Sequence, residues 1–281
     1  MKILVTGGSG FIGKNIIEYF SDIHQLYYPT SKELNLINSE EVHSWFKDKF
    51  FDVVIHCAMH DPFLGKGKDG KPDGILPNNL YMFFNLLREK SHFKKFINLG
   101  TSAEYNRENW KANMSENFFD VNIPTEPYGF SKSIINKHLF LTNDLDSVSL
   151  RLFGVFGKYE NEKRFISTCI LNALNNKSIT INKNRRLDYL YIKDLMKIIN
   201  IFIEENVWRE TYNICSGQPI LLSSLALLIL DTLKIKVPIT IKDMGNEYSG
   251  NNHKFLNDYG EFKFTPIEKT ISEVCTMYRN K

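Results

Sequence analysis

The first thirteen residues restrict this chain more than any other stretch of it. Lys2-Ile3-Leu4-Val5 is a short apolar run of the kind that forms a buried strand. Thr6-Gly7-Gly8-Ser9-Gly10-Phe11-Ile12-Gly13 follows, and Lys14 to Phe20 turns helical, with Ile16, Ile17 and Phe20 spaced along one face. Strand, glycine turn and helix in that order make the opening unit of a dinucleotide-binding fold. Gly7 permits the tight turn, Gly10 admits a pyrophosphate to the backbone, and Gly13 lets helix and strand pack closely. The helix start adds free N–H groups and the positive end of its dipole. Gly7, Ser9, Gly10, Phe11, Ile12 and Gly13 are therefore the expected cofactor cradle.

The rest of the first half repeats the alternation. Leu26 to Tyr28, Phe51 to Cys57, Lys95 to Leu99 and Val148 to Phe153 read as strands, with helices over Glu40 to Lys49, Asn79 to Lys90 and Pro127 to Phe140. This argues for an α/β chain, a Rossmann-like doubly wound parallel sheet covered by helices on both faces. The second half is less regular. Helical patterns cover Phe165 to Asn175, Asp194 to Glu205, a stretch through Leu233 that Ser223 or Ser224 can cap, and Ile267 to Tyr278. Short strands fit near 178–181, 187–192, 211–215 and 237–241. The expected division is a dinucleotide-binding domain over 1–157, with 186–215 returning to it, and a small mixed α/β substrate-binding cap from 158–185 and 216–281.

Composition closes off other classes. The formal net charge of +3 is too small, and its Lys and Arg too scattered, for a nucleic-acid partner. Cys57, Cys169, Cys215 and Cys275 lie far apart with no CxxC spacing, which reads as reduced thiols and not as disulfides or a metal site. Ile220 to Leu230, the most apolar segment, is too short to span a bilayer. The strand at residue 3 leaves no room for a signal peptide, so a cytoplasmic protein without membrane, metal or nucleic-acid partners is expected.

The chemistry follows the fourth strand. Leu99-Gly100-Thr101-Ser102-Ala103-Glu104-Tyr105 ends that strand, and Tyr128-Gly129-Phe130-Ser131-Lys132 opens the long helix. A tyrosine and a lysine four apart share one helical face. A phenol of ordinary pKa, roughly 10, is a poor acid–base near neutrality, and a nearby ammonium brings it closer to the working range. In carbonyl reduction Tyr128 would donate the proton, Lys132 would lower its pKa and hold ribose hydroxyls, and Thr101 would hydrogen-bond the reacting oxygen. YxxxK alone is common on solvated helix faces; its place after a Thr/Ser-bearing strand end is what gives it weight.

With these residues together, the chain resembles the extended short-chain dehydrogenase/reductase family of nucleotide-sugar epimerases, dehydratases and ketoreductases. The marks are TGGSGFIG (6–13), DVVIHCA (52–58), Asn79 with Asn85, LGTSAEY (99–105), EPYGFSK (126–132), RLFGVFG (151–157), DYLYIKD (188–194) and NICSG (213–217). Glu33-Leu34-Asn35-Leu36, EPYGFSK and the C-terminal pattern look nearest the GDP-fucose synthase and dTDP-4-dehydrorhamnose reductase branch. The resemblance implies that Ala58 and Asn79 line the cofactor cleft and that Phe153 to Val155 lie near the nicotinamide. It places the reactive hydroxyl four residues before Tyr105, at Thr101, with Ser102 as the alternative.

Departures from the family pattern narrow the activity. Dehydratases set Asp-Glu directly after the threonine, where this chain has Ser102 and Ala103. GDP-fucose synthase inverts two carbons with a cysteine and a histidine, and Ala103 and Arg164 stand in their places. The hydride step alone survives, which favours a 4-ketoreductase or a C4-epimerase working by transient oxidation. Epimerases commonly follow the second strand with an acid for the ribose 2′-hydroxyl. Here Tyr27-Tyr28-Pro29-Thr30-Ser31-Lys32 carries none before Glu33, and Ser31 and Lys32 can meet a 2′-phosphate unless Lys32 is simply a solvated charge. NADP(H) is thus preferred over NAD(H). The implied substrate is a nucleotide-diphosphate sugar bearing a 4-keto group, contacted by Ser102, Ala103, Arg164, Arg186 and His253. In that set Arg186 comes one place before the usual arginine, now Leu187, and His253 takes the place of a C-terminal-loop arginine. The Asp61–Gly74 loop is either substrate-facing or a surface excursion. A binding protein without turnover is the competing class, though such relatives typically lose the tyrosine or lysine. The family also implies a homodimer through the YxxxK helix and the helix near Asn79, with Ile134, Ile135, Leu139 and Phe140 as candidate face residues.

Overall fold

The computed structural model describes residues 1–60, 74–206 and 209–280. The chain order is β1 (Lys2–Thr6), α1 (Phe11–Phe20), β2 (Gln25–Tyr27), α2 (Ser39–Phe46), β3 (Phe51–His56), α3 (Ile75–Arg88), β4 (Phe93–Thr101), α4 (Pro127–Leu141) and β5 (Asp146–Leu152). It continues with β6 (Gly154–Phe156), α5 (Phe165–Leu174), β7 (Ile179–Ile181), β8 (Arg186–Leu187), β9 (Tyr189–Tyr191), α6 (Ile192–Glu204) and β10 (Glu210–Ile214). The last elements are β11 (Ile220–Leu221), α7 (Leu222–Leu233), β12 (Ile239–Ile241), α8 (His253–Tyr259) and α9 (Ile267–Arg279). Contacts divide them into two compact units, one of Met1–Asn109, Glu116–Leu152 and Ile198–Tyr212, the other of Trp110–Ser115, Phe153–Lys197 and Asn213–Lys281.

The first unit is built on a six-stranded sheet of order β10-β5-β4-β3-β1-β2. β1 pairs parallel with β2 and with β3, Val5 opposite Ile55, and β3 to β5 continue the parallel run. The order reverses beside β1: the chain steps to β2 on one side, then to β3 on the other. The carboxyl ends of β1 and β3 therefore border a topological switch point, the crevice where such sheets bind ligands. A core of Leu4, Phe46, Phe51, Phe83, Phe96, Ile135 and Leu139 seals sheet to helices, and all of these are buried. Burying one such side chain contributes roughly 1.5–3 kcal/mol, which is how three layers hold together without a crosslink. Ile135 and Leu139 thus pack inside this chain and are not free for a partner, because they fall on the sheet-facing side of α4. Phe140 on the opposite side is exposed.

The second unit carries three two-stranded pairs, β11 with β8, β12 with β7 and β6 with β9, and packs α5 and α9 against α7. Neither Ser223 nor Ser224 caps α7. Leu221 stands at the N-cap without a side-chain bond, and Asn184 supplies the cap from a distant segment. The Asn184 amide accepts from the Ser223 N–H and donates to its Oγ, both at 3.0 Å. In the first unit α3 starts at Ile75, earlier than the apolar spacing predicts, because Gly74 (φ 70°) turns the chain in and Pro77 is tolerated in a first turn. All four cysteines are free thiols. Among the described residues no helix is long and apolar enough to cross a membrane, and no cluster of acids, His and Cys suits a metal ion. The expectations on 61–73, including Lys66, Lys68 and Lys71, fall outside the described residues.

Candidate active site

The glycine turn has the shape a dinucleotide needs. Gly7 sits at φ +69°, and a Cβ there would lie 2.7 Å from the Ala58 backbone. A Cβ on Gly13 would come within 2.3 Å of the Gly7 carbonyl, so α1 closes onto the end of β1 only with glycine at both places. Gly10 is different: it is exposed, caps α1 in extended conformation, and a side chain there would meet only the Gly7 oxygen at 3.3 Å. Ser9 is exposed beside it, while Phe11 and Ile12 are half-buried at the first turn of the helix. A backbone cradle open at Gly10 and closed at Gly7 and Gly13 fits a pyrophosphate. Beneath it the buried His56 hydrogen-bonds Thr6 Oγ1 at 2.9 Å, and burial lowers its pKa to about 3, leaving a neutral ring under the turn.

β4 and α4 bring the three hydroxyl and amine groups together within the first unit. Thr101 ends β4, and Ser102–Tyr105 turn away as a 3-10 helix. The Glu126 carboxylate caps α4, accepting from the Tyr128 N–H at 2.9 Å and the Gly129 N–H at 2.7 Å, with Pro127 at the first position. Gly129 lies against the Ala103 carbonyl, where a Cβ would approach to 2.5 Å. That close approach brings the Tyr128 phenol near enough to the Thr101 side chain for Thr101 to favour its ionised form. Lys132, one turn on and buried, donates to the Leu99 carbonyl at 2.9 Å.

The electrostatics differ from the expectation. Tyr128 is pushed up to about 12, chiefly by burial and further by Glu104 and Glu126; the Thr101 side chain and Arg107 act the other way. Lys132 instead directs its ammonium to the strand carbonyl of Leu99. Burial lowers Lys132 to about 8, opposed by Glu104 and by Cys57. Glu104 itself, absent from the expected set, is wholly buried and faces Arg151 at 2.9 Å.

Other cofactor candidates occupy varied positions. Asn79 is buried, accepts from the His60 N–H at 2.7 Å and donates to Ser131 Oγ at 3.0 Å, tying the loop after β3 to α4. Ala58 is half-buried behind Gly7, and Ser31 and Lys32 are exposed beyond β2. Glu33, the nearest acid, is engaged by Thr30, whose N–H and hydroxyl donate to it at 2.7 and 2.9 Å. In the second unit Phe153 and Val155 are buried, and the Phe153 ring stacks on Tyr248 at 5.4 Å. Ser102 and Ala103 are buried in the turn after Thr101.

The second unit holds a cavity of about 590 Å³ lined by Trp110, Arg164, Lys183, Arg185, Leu187, Tyr189 and Tyr248, among others. Arg164 is therefore in the wall of this cavity. Arg186 and His253 do not line it: Arg186 is exposed and donates to the Pro219 carbonyl at 3.3 Å, and His253 is exposed at the start of α8. Lys183, Arg185 and Leu187 reach the cavity, whereas Asn184 is turned to Ser223 and Arg186 to the Pro219 carbonyl. The acid at the cavity, Asp188, is fully buried and already accepts from Ser216 N–H and hydroxyl and Gly217 N–H at 2.7, 2.8 and 2.9 Å. The wall is therefore cationic and aromatic.

Comparison with known proteins agrees with this architecture. The profile of the NAD dependent epimerase/dehydratase family matches residues 3–215. The chain is 24% identical to GDP-L-colitose synthase of Yersinia pseudotuberculosis, covering 100% of this chain and 99% of that protein. It is 26% identical to dTDP-4-dehydro-6-deoxyglucose reductase of Escherichia coli over 86% of this chain and 84% of the relative. The crystal structure of a GDP-L-fucose synthetase from Naegleria fowleri bound to NADP superposes with a TM-score of 0.85 at 19% identity, covering 99% and 93% of the two chains.

Proposed function

The chain belongs to the NAD dependent epimerase/dehydratase family, and from that premise we propose that it reduces the 4-keto group of a nucleotide-diphospho-4-keto-6-deoxysugar, with NADPH as donor. The nicotinamide supplies the hydride when bound. Gly7, Gly10 and Gly13 hold the pyrophosphate, Thr101 orients the carbonyl oxygen, and Tyr128 gives that oxygen its proton. Lys132 holds the ribose as an ammonium. The observation that carries this reading is that β4 and α4 bring Thr101, Tyr128 and Lys132 to one place, with Gly129 against the Ala103 carbonyl and Lys132 bonded to the Leu99 carbonyl, on the sheet that opens with the glycine turn.

The protonated state of the phenol is the one a reduction needs. A phenol held near 12 is protonated at neutral pH, which suits a donor to a developing alkoxide. Dehydration and carbon inversion need further acids and bases, whereas Ser102, Ala103 and Arg164 have none that work near neutrality. The absence of a carboxylate directly after β2, with Glu33 engaged by Thr30, favours a 2′-phosphate near Ser31 and Lys32. The cavity bearing Arg164, Lys183 and Arg185 suits a nucleoside diphosphate group, charge to charge.

The test is NADPH oxidation by purified protein against a panel of nucleotide-linked 4-ketosugars. Turnover with at least one is expected, with a lower Michaelis constant for NADPH than for NADH. Tyr128→Phe should lower kcat by about 10²–10⁴ while leaving the fold intact. No oxidation with any ketosugar would overturn the reading, and a clear NADH preference would overturn the cofactor assignment.

A further inference from the structure

We propose that Glu104 is the positioning residue of this site: its carboxylate fixes the turn that presents Thr101 and supplies the buried counter-charge of Lys132, with Arg151 anchoring the carboxylate from β5. The inference rests on the reductase reading for its kinetic consequence, but not for its structural one.

Each oxygen of the carboxylate has its own task. Oε1 accepts the Thr101 backbone N–H at 2.8 Å, while Thr101 Oγ1 accepts the Ala103 N–H at 3.3 Å, a reciprocal capping box across the 3-10 turn. Thr101 is thus tied at its backbone by the same residue whose turn its side chain starts. Oε2 accepts from Arg151 Nε at 2.9 Å and from Asn136 Nδ2 at 3.0 Å. Asn136 lies on α4 one turn beyond Lys132, and its other amide atom accepts from Thr211 at 2.8 Å. Arg151 in turn donates to the Tyr105 hydroxyl at 2.7 Å, with the Tyr105 and Phe119 rings 4.5 and 4.9 Å from its guanidinium carbon. The sequence makes room for this: a Cβ on Gly100 would sit 2.6 Å from Oε1.

A buried ion pair of this kind gives little net stability over an apolar replacement, since desolvation of both partners offsets their attraction. Both residues are at most 1% exposed. Stability alone does not account for placing a carboxylate here, but the site does. Glu104 and Cys57 favour the Lys132 ammonium, and Lys132 in turn bears on His56 and Cys57. The charged groups bearing on Tyr128 are Glu104, Glu126 and Arg107. Cys57 is itself held as a thiol by burial, so Glu104 is the standing anion for the ammonium. Removing it lets Lys132 lose its proton at lower pH, and also lets the phenol ionise sooner. Both changes move the alkaline limb of a reduction in the same direction, downward.

The test compares wild-type protein with Glu104→Gln and with Glu104→Gln/Arg151→Gln, the double variant leaving no buried charge unpaired if the single one fails to fold. Lysine side chains are isotopically labelled and the Lys132 NMR signal is assigned by Lys132→Met. The ligand-free proteins are then titrated. The Lys132 midpoint should fall by about one pH unit in the folded variant, and the Thr101 amide signal should shift as its acceptor changes. In turnover, kcat should fall about tenfold or more with KM within about twofold, and the alkaline limb should start earlier. An unmoved Lys132 midpoint in a folded variant overturns the inference, whatever the wild-type enzyme turns over. Absence of turnover in wild type with a normal shift of the midpoint overturns the reductase reading instead.

Discussion

Glu160 shows at the scale of one residue what burial does to an acid even when a cation is beside it. Its carboxylate meets Arg164 Nε at 2.9 Å and accepts from Ser167 Oγ at 3.0 Å, yet it is pushed up to about 7 because burial outweighs both. Arg164 is 46% exposed, so its attraction is partly screened by water. A folded-state value above the unfolded 4.5 means that the native state binds the extra proton between those limits. Stability from this group is fully present below about 4.5, declines as pH rises toward 7, and is gone above it. The loss is at most about 3 kcal/mol. Glu160→Gln keeps an acceptor for Ser167 and removes the proton, so its Tm should exceed that of the wild type above pH 7 and converge with it in acid. Parallel Tm curves across that range would show that Glu160 ionises normally. Glu160 was not legible in the sequence, because its burial depends on a packed α5. Tyr128 and Lys132 were legible, because a helix puts residues four apart on one face whatever surrounds it. What the spacing left hidden was the charge state, since the Leu99 carbonyl that holds Lys132 comes from another element.

Among elements, the same split separates local from distant causes. The glycine turn, β3 and α4 could be read because their determinants lie within a few residues: Gly7 and Gly13 at the turn, and Glu126 with Pro127 at the start of α4. The start of α7 could not, because its cap comes from Asn184, 39 positions away. Nor could Lys95, a buried cation in β4 whose ammonium donates to the Phe202 and Ile203 carbonyls at 3.1 Å and so closes the end of α6. α8 was missed altogether; its seven residues bury only Phe255 and give no periodic stripe. The Asn184 cap has a measurable consequence. Asn184→Ala removes the acceptor of the Ser223 N–H inside the second unit and should destabilise by about 1–2 kcal/mol. For a chain of this size that corresponds to a fall in Tm of about 2–8 °C. Asn184→Asp keeps the acceptor and should recover much of the loss; equal damage from both would mean the side chain acts by packing and not as a cap.

For the molecule as a whole, what is left uncovered bears on its assembly. A formal charge of +3 gives only weak self-repulsion, so apolar surface is not kept apart by charge. α3 and α4 pack against each other in the first unit, and each leaves large side chains in water: Tyr81 is 55% exposed, Phe140 61% and Leu141 64%. Single exposed apolar residues are unremarkable, but Phe140 and Leu141 are adjacent on a helix whose other face supplies Ile135 and Leu139 to the core. The homodimer implied by family resemblance would cover this helix pair. It would also explain why α4, the element that carries Tyr128 and Lys132, is apolar on two sides and has little overall amphipathic contrast. We therefore expect sedimentation to give a dimer at micromolar concentration, and Phe140→Asp/Leu141→Asp to give a folded monomer with an unchanged circular dichroism spectrum. The charge is added more than two helical turns from Tyr128, so single-site catalysis should fall only as far as rigidity of α4 depends on the partner. A wild-type monomer at those concentrations removes the dimer, and a dimeric double variant moves its interface off α4.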